Sequence, residues 1–243
     1  MKKIMKENKK VDIVVPVYYK EAPHLEHHIK QQREYFAKNL KGYRWTIVIA
    51  NNGPRKDAVE IARQLSKKYK HVRYEDVNNP GRGWSLSTSW QKSNADVVMY
   101  MDADLATNLA AVPIMLKLLF SNASDVTIGS RYMQGAHARR TLQRYILSKV
   151  YNLMLQYILK LRVHDAQCGF KGIKKSVARK IIPLTKDRKW FFDTELLYYA
   201  QKKGFKIVEV PVRWEEQKET SVQIISVTIN YIKNILRLRF SRI

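Results

Sequence analysis

One cysteine, Cys168, occurs in 243 residues, so no intramolecular disulfide and no thiolate metal set can form, and a reducing compartment is the default. No stretch reaches the ~18 uninterrupted apolar residues of a membrane span, and the basic segment 1–10 has no apolar core behind it, as a secretory leader would. The chain is therefore expected to be soluble or held to a membrane from one side, with residues 1–10 as a basic arm. The six histidines lack a ligand spacing, since His24 and His28 share a helix face but have no third partner. Acidic residues are scarce: Asp+Glu 21 stand against Lys+Arg 45, a formal charge of +24. That surplus implies an anionic partner: phosphorylated substrates, an anionic membrane surface or nucleic acid. Because the basic residues are spread along the chain and no recognition-helix, zinc-finger or RNP pattern occurs, nucleic acid is not expected.

The 45% of apolar residues suit one well-buried core. Residues 11–17 form a valine-rich run of the kind a doubly buried parallel strand shows, followed by helical spacing at Leu25, Ile29 and Phe36. Residues 45–50 repeat the strand, and Val59, Ala62 and Leu65 the helix. Alternation of this kind predicts a parallel α/β sheet with right-handed crossovers. Further strands are expected at 72–74, 97–101, 126–130, 170–173 and 207–211. The loop Asn78-Asn79-Pro80-Gly81-Arg82-Gly83 is rich in turn formers, but its glycines match neither the Rossmann nor the P-loop spacing.

The central stretch is Val97-Val98-Met99-Tyr100-Met101-Asp102-Ala103-Asp104, an apolar run that delivers two carboxylates at its C-terminal end. Ligands in open α/β sheets bind beyond such strand ends. Two hard oxygen ligands at this spacing suit Mg²⁺ or Mn²⁺, with a substrate diphosphate completing the shell. A bare Asp-x-Asp is more often a turn closing a strand, so context must decide. Cys168 has no activating neighbour in sequence and reads as a small buried residue; Trp190, Phe191 and Phe192 read as core.

Two segments are more apolar than a core-facing stripe requires. In 141–161, Leu142, Ile146, Val150, Leu153 and Tyr157 form one stripe and Leu147, Tyr151, Leu155 and Leu159 another. In 222–242 a narrow polar stripe is flanked by Ile, Leu, Val, Tyr and Phe, with Arg237, Arg239 and Arg242 loading the end with charge. This second helix is open to three placements: on an anionic membrane surface, on its own domain, or in a homo-oligomer.

The ordered set Val15-Pro16-Val17-Tyr18, Met101-Asp102-Ala103-Asp104-Leu105-Ala106-Thr107, Gly129-Ser130-Arg131-Tyr132, Asp165-Ala166-Gln167-Cys168-Gly169-Phe170-Lys171 and Phe192-Asp193-Thr194-Glu195-Leu196-Leu197 resembles the inverting family-2 glycosyltransferases of the GT-A fold. Within them it is most similar to the dolichyl- or polyprenyl-phosphate glucosyltransferases. The resemblance covers residues 11 to about 221, leaving 222–243 as an amphipathic C-terminal helix. It implies a Rossmann-like, mostly parallel sheet flanked by helices, and transfer of a sugar, of the UDP-glucose type, to a polyprenyl or dolichyl phosphate by a peripheral enzyme on the cytoplasmic face of a membrane. The alternatives are a mannosyl or N-acetylhexosaminyl donor, a soluble or protein acceptor, and a scaffold that binds nucleotide sugar without turnover.

The same resemblance implies roles. Pro16, Tyr18 and Glu21 match the first donor loop, Asn51 and Asn52 stand where an acidic pair reads base and ribose, and Arg82 replaces a usual lysine. Asp102 and Asp104 match the metal site, with Asp102 also on the donor side. Arg131 matches the arginine that engages phosphate, with Arg139, Arg140 and Arg144 as helpers at the acceptor phosphate. Asp193 matches the catalytic-base aspartate of relatives with hydroxyl acceptors. Asn51-Asn52-Gly53-Pro54 and Lys218-Glu219-Thr220-Ser221 depart from the family pattern; Asn pairs with a base edge through its amide but supplies no carboxylate.

Overall fold

The computed structural model describes residues 9–51, 56–77, 79–216 and 224–241, with 19–21, 56, 57 and 224–228 described by backbone alone. Of the expected site residues, Asn52 and the side chain of Glu21 lie outside this set, as do segment 1–8, the run 217–223 and Arg242.

Seven strands form one sheet in the order β3-β2-β1-β4-β7-β5-β8: β1 (Lys10–Val17), β2 (Arg44–Asn51), β3 (Val72–Glu75), β4 (Val97–Met101), β5 (Val126–Ser130), β7 (Phe170–Lys174) and β8 (Ile207–Pro211). The pairs β1–β2, β1–β4, β2–β3 and β5–β8 are parallel, while β7 runs antiparallel to both β4 and β5. An α/β sheet that is mostly parallel, flanked by helices, is the expected GT-A-like architecture. A second, two-stranded sheet pairs β6 (His137–Arg139) with β9 (Arg213–Glu215). Sequence reading missed it, because three-residue strands carry no usable periodicity.

Strand parity sends each face into its own core. Val98, Tyr100, Val14 and Val48 pack with Leu86 and Trp90 of α3 (Arg82–Lys92), with Phe192, Leu196 and Leu197 of α7 (Phe192–Lys202), and with Tyr151 and Leu155 of α5 (Leu142–Ile158). Val97, Met99 and Met101 face the other way, onto α1 (Leu25–Asn39), α2 (Lys56–Lys68) and α4 (Ala111–Phe120). A short α6 (Lys175–Ile181) follows β7. The last helix, α8 (Ile224–Phe240), buries Ile235 and Leu238 on its own domain, and Tyr198 of α7 donates to the Leu238 carbonyl at 3.1 Å. Its opposite stripe, Ile229, Ile232, Leu236 and Phe240, is exposed, as are Leu142, Tyr145, Ile146, Leu147, Val150, Leu153 and Tyr157 of α5. No helix among the described residues is long and apolar enough to cross a membrane.

Candidate active site

β1 lies between β2 on one side and β4 on the other. The winding direction therefore reverses at β1, and a crevice opens beyond the C-terminal ends of these strands. Antiparallel β7 adds to it. Because Met101 pairs with Phe170, the loop 165–169 that precedes β7 arrives beside the residues that follow β4, and next to Arg131 beyond the end of β5.

Asp102 shares the parity of Val98 and Tyr100 and so faces α3 and α7. Its backbone N–H donates to the Gly169 carbonyl at 3.2 Å. A Cβ at position 169 would stand 1.8 Å from Asp102 Oδ2, so any other residue there would displace the Asp102 carboxylate. Asp104 Oδ1 accepts the Ala106 N–H at 3.0 Å, and inside that turn, immediately after the second acid, Leu105 is held at φ 54°, a left-handed conformation that costs a non-glycine residue energy and concentrates at functional loops.

Asp193, in the first turn of α7, is 1% exposed. Lys171 Nζ lies 2.9 Å from its Oδ1 and Arg82 Nη2 2.6 Å from its Oδ2, while the Tyr100 hydroxyl donates to Oδ1. Lys171 is itself fully buried and donates to the Cys168 carbonyl at 2.6 Å. Burial alone would raise the Asp193 pKa, but Arg82, Lys171 and the Tyr100 hydrogen bond more than offset it and hold the carboxyl below its ordinary range. Burial also keeps Tyr100 protonated, well above its usual pKa, so it remains a donor to that carboxylate.

Arg82 joins the two carboxylates, with Nη1 3.8 Å from Asp102 Oδ1. Burial pushes Asp102 up to about 7, Arg82 pulls it back, and Asp104 and Asp193 add to the rise. Its side chain keeps 40% of its surface open to the crevice, and water there offsets part of the burial. Behind Arg82 lies the Trp190 ring, 4.6 Å from the guanidinium carbon. Phe191 and Phe192 are core as expected, but Trp190 is only half-buried and serves as a platform for this arginine.

Gly81 and Gly83 do not shape an open phosphate loop. A Cβ on either would stand 2.5 or 2.7 Å from Arg188 backbone atoms, and the Trp84 N–H donates to the Arg188 carbonyl at 3.0 Å. The glycines let segment 186–190 seat against the start of α3. From α8, Tyr231 reaches the same region: its ring lies 4.8 Å from that of Tyr151 and 5.7 Å from that of Phe191, and burial, opposed by the nearby Arg82 charge, lifts it to about 12.

The other expected residues are distributed unevenly. Pro16 sits near the C-terminal end of β1 opposite Ala50, and Tyr18 follows, partly exposed. Asn51 turns its amide inward: Oδ1 accepts the Val77 N–H at 2.6 Å and Nδ2 donates to Asp76 at 3.1 Å. Asp76, not singled out from the sequence, therefore brings a carboxylate to the place where the Asn pair has none. Arg131 commits its backbone N–H, Nε and Nη2 to Asp165, at 3.0, 2.7 and 2.8 Å, and Asp165 is fully buried. Arg139 pairs with Glu215 and Arg144 with Glu216. Arg140 lies between the rings of Tyr132 and Tyr145, at 4.7 and 4.9 Å, and donates to the Tyr132 and Ser148 hydroxyls. It has no carboxylate partner among the described residues. Lys171, Tyr100, Glu195 and Tyr231 were not assigned site positions from sequence. A lysine inside the buried strand Phe170–Lys174 was the one available signal, since a buried ammonium requires a partner.

Two cations, Arg82 and Lys171, thus face three carboxylates, Asp102, Asp104 and Asp193. With Asp102 ionised the sum is one negative charge, the wrong sign to receive a diphosphate, and one divalent ion held by Asp102 and Asp104 would reverse it. No set of three or more His, Cys, Asp or Glu residues able to hold a metal occurs among the described residues; two carboxylates with a substrate diphosphate completing the shell do fit Mg²⁺ or Mn²⁺.

The chain is 30% identical over 228 residues to the glycosyltransferase AglD of Haloferax volcanii, covering 93% of this chain and 36% of that protein, so it spans about a third of that relative's length. It is 28% identical over 246 residues to the dolichyl-phosphate beta-glucosyltransferase of Dictyostelium discoideum, covering 96% of this chain and 75% of the relative. In fold it is similar to the glucosyl-3-phosphoglycerate synthase of Mycobacterium tuberculosis, solved with Mn²⁺ and UDP-glucose, at TM-score 0.68 and 15% identity over 96% of this chain and 80% of the other. Residues 12–182 match glycosyl transferase family 2, and with more than half of its length inside that match the chain belongs to this family.

Proposed function

We propose that the chain moves a glucosyl group from UDP-glucose to a polyprenyl or dolichyl phosphate at a membrane surface, with inversion at the anomeric carbon. The observation that carries this reading is the convergence of Asp102, Arg82 and Asp193 on the crevice beyond β1 and β4, with Asp104 close enough to Asp102 to act on its charge. Similarity to the Dictyostelium dolichyl-phosphate beta-glucosyltransferase supports the lipid phosphate and the sugar, and the mycobacterial synthase solved with Mn²⁺ and UDP-glucose is consistent with that donor and metal.

In this reaction an oxygen of the lipid phosphate attacks the anomeric carbon while the bond from that carbon to the UDP diphosphate breaks. A phosphomonoester's second pKa is ~6, so the nucleophile is already an anion and needs no general base. Asp193, held as a carboxylate by Arg82 and Lys171, then acts by fixing Arg82 beside the departing diphosphate. Asp102 and Asp104 would hold Mg²⁺ or Mn²⁺, which would supply the remaining positive charge for the leaving group. For the acceptor phosphate, Arg140 is the fitting cation, since Arg139 and Arg144 face glutamates and Arg131 is locked on Asp165. Arg131 instead holds loop 165–169 in place.

The exposed stripes of α5 and α8 supply the membrane contact. Lys233 and Arg239 remain for the surface at ~1 kcal/mol each, whereas Arg237, expected from sequence to join them, is drawn inward to Glu195. The test is incubation of the full chain with radiolabelled UDP-glucose, dolichyl phosphate in phosphatidylserine-containing vesicles, and Mn²⁺, followed by extraction of labelled lipid. Labelling from GDP-mannose or UDP-N-acetylglucosamine but not UDP-glucose overturns the donor. Label appearing only on a soluble acceptor overturns the lipid.

A further inference from the structure

Glu195 lies two residues after Asp193 and is fully buried, yet it touches none of the groups at the crevice. Its Oε2 accepts the backbone N–H groups of Lys186 and Asp187 at 2.6 and 2.8 Å, and its Oε1 takes the guanidinium of Arg237 from α8. Asp187 in turn accepts the N–H groups of Lys189 and Phe191 at 2.7 and 3.2 Å. The segment so fixed carries the Arg188 carbonyl that receives the Trp84 N–H, and the Trp190 ring on which Arg82 rests. One carboxylate thereby ties α8 to the strip of backbone that positions the first turn of α3.

A carboxylate at zero exposure holds its charge only while donors surround it. Two of the donors on Glu195 are backbone amides of segment 186–190 and the third belongs to α8. When α8 shifts, Glu195 loses its one cationic partner among the described residues, and its demand for donors falls on that segment. Tyr231, on the same helix, gives α8 a second hold through its ring contacts with Tyr151 and with Phe191, which follows Trp190.

We infer that Glu195 is a positioning residue for the transfer reaction: through segment 186–190 it couples the seating of α8 on the domain to the placement of Arg82 at the carboxylate cluster. This rests on the transferase reading above. It makes contact at the outer stripe of α8, Ile229, Ile232, Leu236 and Phe240, felt at the site some helix turns away.

The test compares Glu195→Gln, Arg237→Met, Arg237→Lys and, as a control for weakened α8 packing alone, Tyr198→Phe, which loses the bond to the Leu238 carbonyl without touching Glu195. Steady-state kinetics and backbone amide exchange are measured on the full chain. Glu195→Gln and Arg237→Met are expected to lower kcat at least tenfold, with the KM for the lipid acceptor within twofold of wild type. Arg237→Lys should recover part of kcat, and Tyr198→Phe should keep it despite a lower Tm. In Arg237→Met the amides of Lys186, Asp187 and Trp84 should exchange together at least tenfold faster. Loss of kcat in Tyr198→Phe equal to that in Arg237→Met overturns the inference, as does faster exchange at Lys186 and Asp187 with Trp84 unchanged. Should Glu195→Gln fail to fold, Arg237→Met decides, since Arg237 is partly exposed. Absence of turnover in the wild type counts against the transferase reading, and the exchange arm still decides the coupling.

Discussion

Asparagine at position 193 keeps the shape of the side chain and removes its charge. Lys171 would retain only the Cys168 carbonyl at 2.6 Å and the Tyr100 hydroxyl at 3.3 Å, and Arg82 would keep Asp102 at 3.8 Å. Breaking a buried pair by removing one partner costs about 3–5 kcal/mol, because the other charge stays desolvated and unpaired. In a chain of this length each kcal/mol moves Tm by about 2–4 °C, so Asp193→Asn should melt about 6–20 °C below wild type. The sign of the pH dependence follows from the depressed carboxyl: its stabilisation is fully present above the unfolded value of 3.8 and is lost as pH falls through the lower folded value. Urea unfolding from pH 2.5 to 8 should therefore show a gap between the two proteins that is flat above about pH 5 and closes in acid. Adding Lys171→Met removes the stranded ammonium, so the double variant should regain part of the loss, with a coupling of about 0.5–3 kcal/mol in the cycle. A gap under ~1 kcal/mol at pH 7, or one that persists unchanged to pH 2.5, would refute the buried ionic cluster, since such a pair cannot be broken so cheaply.

Asp104→Asn should reduce turnover about a hundredfold or more while leaving Tm nearly unchanged, and Mn²⁺ should raise the Tm of wild type but not of the variant; equal Mn²⁺ shifts would remove Asp104 from the metal site. Asp165→Asn leaves Arg131 buried beside a neutral partner and should cost about 3–5 kcal/mol in urea unfolding, whereas a surface-like change below ~0.5 kcal/mol would contradict the bidentate pair. Arg140→Ala should raise the KM for lipid phosphate at least tenfold with the donor KM unaltered, and the reverse pattern in the same kinetics would move Arg140 to the donor side. Cys168 is buried and pushed up to about 12 by that burial, so a maleimide should label it only after denaturation; rapid labelling of the native chain would contradict the packing of loop 165–169.

What the sequence made legible was whatever depends on neighbours along the chain. The valine-rich runs, the intervening helical spacing and the acids at the end of β4 all appear where local pattern placed them. The antiparallel entry of β7 was hidden, because a buried strand reads the same in either direction. Arg131 was legible as a residue beyond a strand end, but not the Asp165 that occupies its fork 34 positions later. Asp193 was legible as a motif match, but Tyr100, 93 positions away, and Lys171 become its partners only once β4, β7 and α7 are packed. Trp190 misled for a related reason: its neighbours Phe191 and Phe192 are core, and nothing local distinguishes the ring that turns toward Arg82.

The C-terminal helix carries the point further, since its amphipathic pattern could not choose between surface and core. Folding answers with both, on separate stripes: Tyr231, Ile235 and Leu238 face the domain, and Ile229, Ile232, Leu236 and Phe240 face away. The decisive residue is charged. Arg237 reads as one more basic residue at a helix end, yet it points to a fully buried glutamate, and a cation is drawn inward only where an uncompensated carboxylate makes its absence cost more than its desolvation. A chain with 45 basic residues has many that could meet an anionic surface, so committing one to Glu195 weakens that attraction by only ~1 kcal/mol. It also gives α8 a fixed register on α7. A helix held that way can rest its outer stripe on lipid without lifting away from the site beneath it.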